Sequence, residues 1–193
     1  NALSARLDAK VTRGGKVHQL SFRRGEPGTF SGPRPEDEFT PAEAGSPLQV
    51  TGKAKRGVTG TTVRYWADRE IFTPGAQFLE EELANRARQT AFLVPGLRIT
   101  IRDERGAEPT EEVFQYDGGI SEFVEHLGPD SPVTDIWRIQ GHGRFTERVP
   151  VEGRMTDVER DCEVDIALRW GVGYETTVRS FVNIIATPKG GTH

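Results

Sequence analysis

The chain has one cysteine, Cys162, and one methionine, Met155, in 193 residues. A single cysteine excludes an internal disulfide and fits a reducing compartment, which makes a cytoplasmic location the expectation. No apolar run approaches the ~20 residues needed to cross a bilayer, and no secretory signal is visible, so no membrane partner is expected. The four histidines, His18, His126, His142 and His193, have no metal-ligand spacing among themselves or with Cys162, so no metal-ligating residue is nominated. There is no Gly-x-Ser-x-Gly elbow, no P-loop and no Gly-x-Gly-x-x-Gly turn, and no catalytic residue is nominated either. The net charge of −4 is mild and argues against a dedicated nucleic-acid-binding surface. The chain opens at Asn1 without methionine and stops at Gly-Gly-Thr-His, which reads as a piece of something longer.

What is present is a globular composition, 35% hydrophobic and 28% charged. A chain of this length buries roughly 70% of its unfolded surface, enough for a core without staples. Asn1 to Leu7 has helix-like polarity. Asp8 to Arg13 and Lys16 to Phe22 are short runs joined by Gly14-Gly15, the signature of a hairpin. Residues 24 to 58 collect Pro27, Pro33, Pro35, Pro41 and Pro47 and read as a long surface loop, with a short edge strand at Leu48 to Val50. Thr61 to Trp66 is the next strand. Phe78 to Val94 is the clearest helix, with Leu79, Leu83, Ala87 and Ala91 on one stripe and Glu80, Glu81 and Glu82 at its positive end. Pro95-Gly96 stops it.

Leu97, Ile99 and Ile101 then alternate with polar residues, and a turn at 103 to 106 leads to a strand around Val113 to Tyr116. Gly118-Gly119 marks a boundary, followed by Ile120, Phe123, Val124 and Leu127 at helical spacing. Pro129 and Pro132 break the chain. Strands are expected at Asp135 to Gln140, Arg144 to Val151, Asp161 to Trp170 and Thr177 to Ile185. Gly141-His142-Gly143 reads as a turn, and Cys162, on the apolar face of its strand with Val164, Ile166 and Leu168, as a buried, inert thiol.

Two residues stand out as candidate contacts. Arg13 is pinned at a hairpin tip, where a guanidinium can reach a neighbouring cleft. Thr61 starts a strand after a glycine, where its hydroxyl can donate to and accept from a bound ring or water. Taken alone, each residue reads as structural before it reads as a contact.

The blocks NALSARL, RGGK, TGTTVRYW, AFLVPGLRITIRDER, FQYDGGISEFVEHL and VDIALRWGVGYETTVRSFVNIIATPKGGTH, in that order, resemble the B subunit of bacterial type IIA DNA topoisomerases, the family of DNA gyrase and topoisomerase IV. The resemblance implies an α+β fold, a two-layer α/β arrangement. Residues 1 to 116 would be the C-terminal half of a Bergerat (GHKL) ATP-binding sandwich, with 24 to 58 as a surface loop. Residues 117 to 193 would begin a ribosomal-protein-S5-domain-2-like transducer. NALS would be the end of the helix after the ATP lid.

By the same resemblance Arg13 matches the arginine at the rim of the nucleotide pocket, also touched by aminocoumarin inhibitors. Thr61 matches the threonine beside the adenine, and Val63 an apolar wall position. ATP and magnesium are the implied cofactors. DNA, a topoisomerase A subunit and a second B subunit in an ATP-dependent gate are the implied partners. The family's general-base glutamate, magnesium-binding asparagine, Asp-x-Gly adenine contact and lid glycines would precede Asn1, and its transducer lysine would follow His193. The expectation is therefore half of an ATP site, inactive alone. Two other readings stay open: a non-catalytic dimerisation or interaction module on the same scaffold, and another GHKL ATPase of chaperone or mismatch-repair type.

Overall fold

The computed structural model describes residues 1–43, 48–128 and 130–188. The chain divides into two compact units, Asn1–Gln77 and Phe78–His193. The expectations at Pro47, at Pro129, at His193 and for the Gly-Gly-Thr-His ending lie outside the described residues.

The first unit is an antiparallel sheet. Its strands are β1 (Ser4–Arg13), β2 (Lys16–Arg23), β3 (Glu26–Phe30), β4 (Phe39–Pro41), β5 (Gln49–Lys53) and β6 (Gly60–Ala67). The order is β4-β3-β2-β1-β6, with β5 also paired to β2. β2 divides its outer edge between two partners: Ser21 to Arg23 pair with β3, and Lys16 to Gln19 pair with β5. The β1–β2 hairpin matches the sequence expectation. Gly14 (φ 60°) and Gly15 (φ 75°) supply the two positive φ values that a two-residue turn needs to follow the strands' twist.

Two expectations fail in this unit. The helix-like start is strand from Ser4, because Leu7, Ala9 and Val11 alternate with Asp8, Lys10 and Thr12 and the ladder to β6 extends back to Ser4 opposite Ala67. NALS is therefore not the end of a helix: residues 1–3 form a turn, closed by the Ser4 hydroxyl donating to the Asn1 carbonyl at 2.6 Å. The long loop at 24 to 58 is also broken up by three short strands, β3, β4 and β5. Pro41 is tolerated because β4 lies at the sheet edge, where a missing N–H costs no ladder bond. The expected strand at Leu48 to Val50 is present as β5.

The second unit begins with α1 (Glu80–Leu93), followed by β7 (Ile99–Asp103), β8 (Thr110–Phe114) and α2 (Ile120–Leu127). The helix packs through Ala84, Ala87 and Ala91 onto Phe114, with Ile99, Ile101 and Tyr116 around them. Small residues let the helix approach the β7–β8 hairpin closely. Leu79 and Leu83, expected on the buried stripe, are exposed, because the contact face is rotated onto Ala84. Phe92 stacks on Tyr116 at 3.6 Å and on Phe123 at 4.9 Å, joining α1 to α2. Gly119 (φ 63°) starts α2, and a Cβ there would meet Pro95 at 3.0 Å, so the boundary glycine has a steric reason.

β9 (Trp137–Val151) and β10 (Arg154–Leu168) form a long two-stranded ribbon, and β11 (Phe181–Val182) and β12 (Ile185–Ala186) a short hairpin. The expected Gly141-His142-Gly143 turn is instead the middle of β9, where these residues pair with Val164, Glu163 and Cys162. The strand expected from Thr177 to Ile185 is reduced to β11, and the chain turns at Asn183 (φ 55°) into β12. Cys162 is exposed rather than buried. Its ribbon does carry the expected apolar face, but among the described residues nothing covers that stretch, and Val164 is 48% exposed. The opposite face carries ion pairs between Arg138 and Asp165 (2.7 Å) and between Arg144 and Asp161 (2.9 Å).

Candidate functional site: the open face of the first sheet

Alternation along β1, β2 and β6 sorts their residues onto two faces. On one face, register sets Thr61 opposite Val11 and Val11 opposite His18. The next row is Val63, Ala9 and Leu20, and the one after is Tyr65, Leu7 and Phe22. Arg13 lies one row beyond Thr61, opposite Lys16, which is itself opposite Lys53. The structure thus brings Arg13, Thr61 and Val63 to a single face, at successive levels of neighbouring strands.

That face is open. Val63 is 58% exposed, and Val11 and Tyr65 are also accessible. Chemically it is an apolar floor with one short hydroxyl and a guanidinium at its end. Such a surface suits the edge of a flat, partly polar ring: apolar atoms for the ring face, a hydroxyl for its heteroatoms, a cation at the rim.

The other face is closed at its Arg6 end, though not at Lys10, Thr62 and Arg64, by a polar network that sequence reasoning missed. Arg6, 6% exposed, donates through Nε to both carboxylate oxygens of Asp8 at 3.0 Å. Its Nη1 donates to the carbonyls of Gly32 (2.6 Å) and Arg34 (3.0 Å). The guanidinium stacks over Phe30 at 4.1 Å, with Trp66 at 5.3 Å. Ser21 donates to Asp8 at 2.7 Å. A cavity of about 70 Å³ lined by Arg6, Gln19, Ser21 and Phe30 lies beside the network, too small for a nucleotide. The one signal in the sequence is the Arg-x-Asp spacing, which puts both charges on one face of a strand; their shared burial depends on residues 32 and 34, 26 or more positions away.

Past β6, Asp68 accepts a hydrogen bond from the Glu70 N–H, and Arg24 lies 2.6 Å away. The N–H, then Arg24, holds the Asp68 carboxyl below the usual carboxylate range against the opposing effect of burial. In the second unit Arg105 hydrogen-bonds Asp103 and lowers its pKa to about 2. Neither group lies on the open face.

Residues 119–193 match the DNA gyrase B family model. The B subunit of DNA gyrase from Streptococcus pyogenes is 35% identical over 193 residues, 100% of this chain and 25% of that protein. Its counterpart from Halalkalibacterium halodurans is 36% identical with the same coverage. The 43K ATPase domain of Thermus thermophilus gyrase B, solved in complex with an aminocoumarin, matches with a TM-score of 0.69 and 30% identity, over 98% of this chain and 43% of that one.

Over its whole length the chain is similar to a segment of DNA gyrase B proteins, and residues 119–193 match that family's model. It spans about a quarter of the length of the gyrase B proteins it matches. The α+β fold expected from the sequence is that of the gyrase B ATPase domain.

Proposed function

We propose that this chain is part of the ATP-hydrolysing subunit of a type IIA DNA topoisomerase, and that its open face is the adenine-side wall of the nucleotide site. In the whole subunit, ATP binding and hydrolysis would drive DNA strand passage. A second B subunit, a topoisomerase A subunit and DNA are the partners, in the cytoplasm. The observation that carries this reading is the register that sets Thr61, Val63 and Arg13 on one open face. Alignment of 98% of the chain with an aminocoumarin-bound ATPase domain supports it. On this reading residues 1 to 116 belong to the nucleotide-binding part and residues from 117 begin the transducer; the family match starting at residue 119 favours a boundary there.

The residues present fit one edge of ATP. Thr61 would hydrogen-bond the ring edge or a water against it, Val63 would exclude water from the ring's face, and Arg13 would close the rim, where an aminocoumarin could also reach. When bound, ATP supplies the phosphoanhydride whose cleavage drives the cycle. Magnesium is different: among the described residues no group of three or more His, Cys, Asp or Glu is placed to hold a metal, so the residues present do not fit it and no step runs through it.

Half a site should bind weakly. Isothermal titration of the 193-residue chain with a nonhydrolysable ATP analogue is expected to show no micromolar binding. Micromolar affinity would contradict the half-site reading.

A further inference from the structure

The net charge of −4 averages over a segregated distribution. At the tip of the β1–β2 hairpin, Arg13 is directly opposite Lys16, and Lys16 is directly opposite Lys53. Three cations thus form one row across three adjacent strands, whose spacing is about 4.8 Å. Like charges set directly opposite each other destabilise a sheet. Lys55 and Arg56, in the connection from β5 to β6, follow at the same end, because the Ala54 N–H bonds the Gly15 carbonyl at 2.9 Å. All five are exposed.

Among the described residues none of the five forms an ion pair. The ribbon in the second unit is the contrast: there nearly every exposed cation faces a carboxylate across the strands. An unpaired row that works against its own sheet is what an external polyanion would compensate.

We propose that this hairpin tip is a docking surface for the phosphate backbone of duplex nucleic acid, with Lys16, Lys53, Lys55 and Arg56 as its phosphate contacts. The row and the basic connection together extend across three strands and a loop, an array suited to a repeating phosphate chain. The choice of DNA among polyanions rests on the topoisomerase reading above. Binding here is independent of base sequence, because only backbone charge is read.

The test is fluorescence anisotropy of the 193-residue chain on a labelled duplex of mixed sequence, titrated with salt from about 50 to about 200 mM. Wild type is compared with Lys16→Gln/Lys53→Gln and with a control, Arg86→Gln/Arg98→Gln, that removes two exposed cations of the second unit which form no ion pair among the described residues. The tip variant is expected to bind at least about fivefold more weakly at the lowest salt, with a salt slope shallower by about 2. Its thermal midpoint should equal or exceed that of wild type, since it relieves like-charge opposition, so a folding defect cannot mimic the result. No binding by wild type at the lowest salt would overturn the proposal, as would an unchanged slope in the tip variant, an equal loss in the control or tighter binding to polyglutamate than to the duplex. Because the assay contains no nucleotide, failure here leaves the ATP-site reading standing, and failure of that reading in a nucleotide titration leaves this result intact.

Discussion

The two faces of the β1–β2–β6 sheet share strands, hydrogen-bond ladder and register, yet one is finished and the other is not. The Arg6 face supplies its own cover: the 31–38 connection folds back, and its carbonyls and Phe30 satisfy a guanidinium at 6% exposure. The Thr61 face carries Val11, Val63 and Tyr65 in the open. Apolar area left in water forgoes about 25 cal/mol per Å², so an uncovered apolar floor with a hydroxyl at its end is better suited to contact than to stability. The difference separates what holds the sheet together from what it presents.

The largest effect should come from breaking the closed face. Arg6→Ala leaves the Asp8 carboxylate without its cation and two carbonyls without a donor, and is expected to cost about 3–5 kcal/mol in denaturant unfolding. A loss below about 1 kcal/mol would show that the network is not what closes that face. On the open face the same experiment should read almost nothing: Val63→Thr, at an exposed position, should stay within about 0.5 kcal/mol of wild type.

A smaller effect should appear in acid. The Asp68 pKa is lowered from its usual value of 3.8 by the Glu70 N–H and then by Arg24. A group with a depressed folded pKa stabilises above its unfolded pKa, and that contribution is lost as pH falls through the folded value. Wild type should therefore lose stability below about pH 3.8, and Asp68→Asn should flatten that segment of the profile. A variant profile parallel to wild type down to pH 2 would exclude the pair as a source of acid sensitivity. Smallest of all, Arg144→Ala on the ribbon removes an ion pair with both partners exposed and should change stability by less than about 1 kcal/mol.

The contrast also explains what the sequence disclosed. Local chemistry was legible: Gly14-Gly15 dictates its hairpin, and Ile120, Phe123, Val124 and Leu127 dictate α2. Tertiary compensation was not. β3 and β4 form in a proline-rich stretch because Pro41 sits at an edge and Pro33 and Pro35 fall in the connection between strands. Alternation correctly put Cys162 on the apolar face of β10, but it names a face, not what lies over it, and the thiol is exposed. The same limit hid Arg6, whose partners are distant in sequence. The shared face of the three proposed site residues was legible for the opposite reason: Arg13, Thr61 and Val63 lie in a hairpin and its neighbouring strand, so register alone brings them together. The role proposed for them rests on resemblance to the gyrase B family, because an open face of this kind does not name its ligand.

The most direct test is a titration of the full-length protein containing this chain with a nonhydrolysable ATP analogue, comparing wild type with Thr61→Ala. Losing the hydroxyl from a buried ring edge should cost about 1–3 kcal/mol, a tenfold or greater rise in Kd, with the unfolding midpoint unchanged. An unchanged Kd would contradict the claim that the open face is the adenine-side wall.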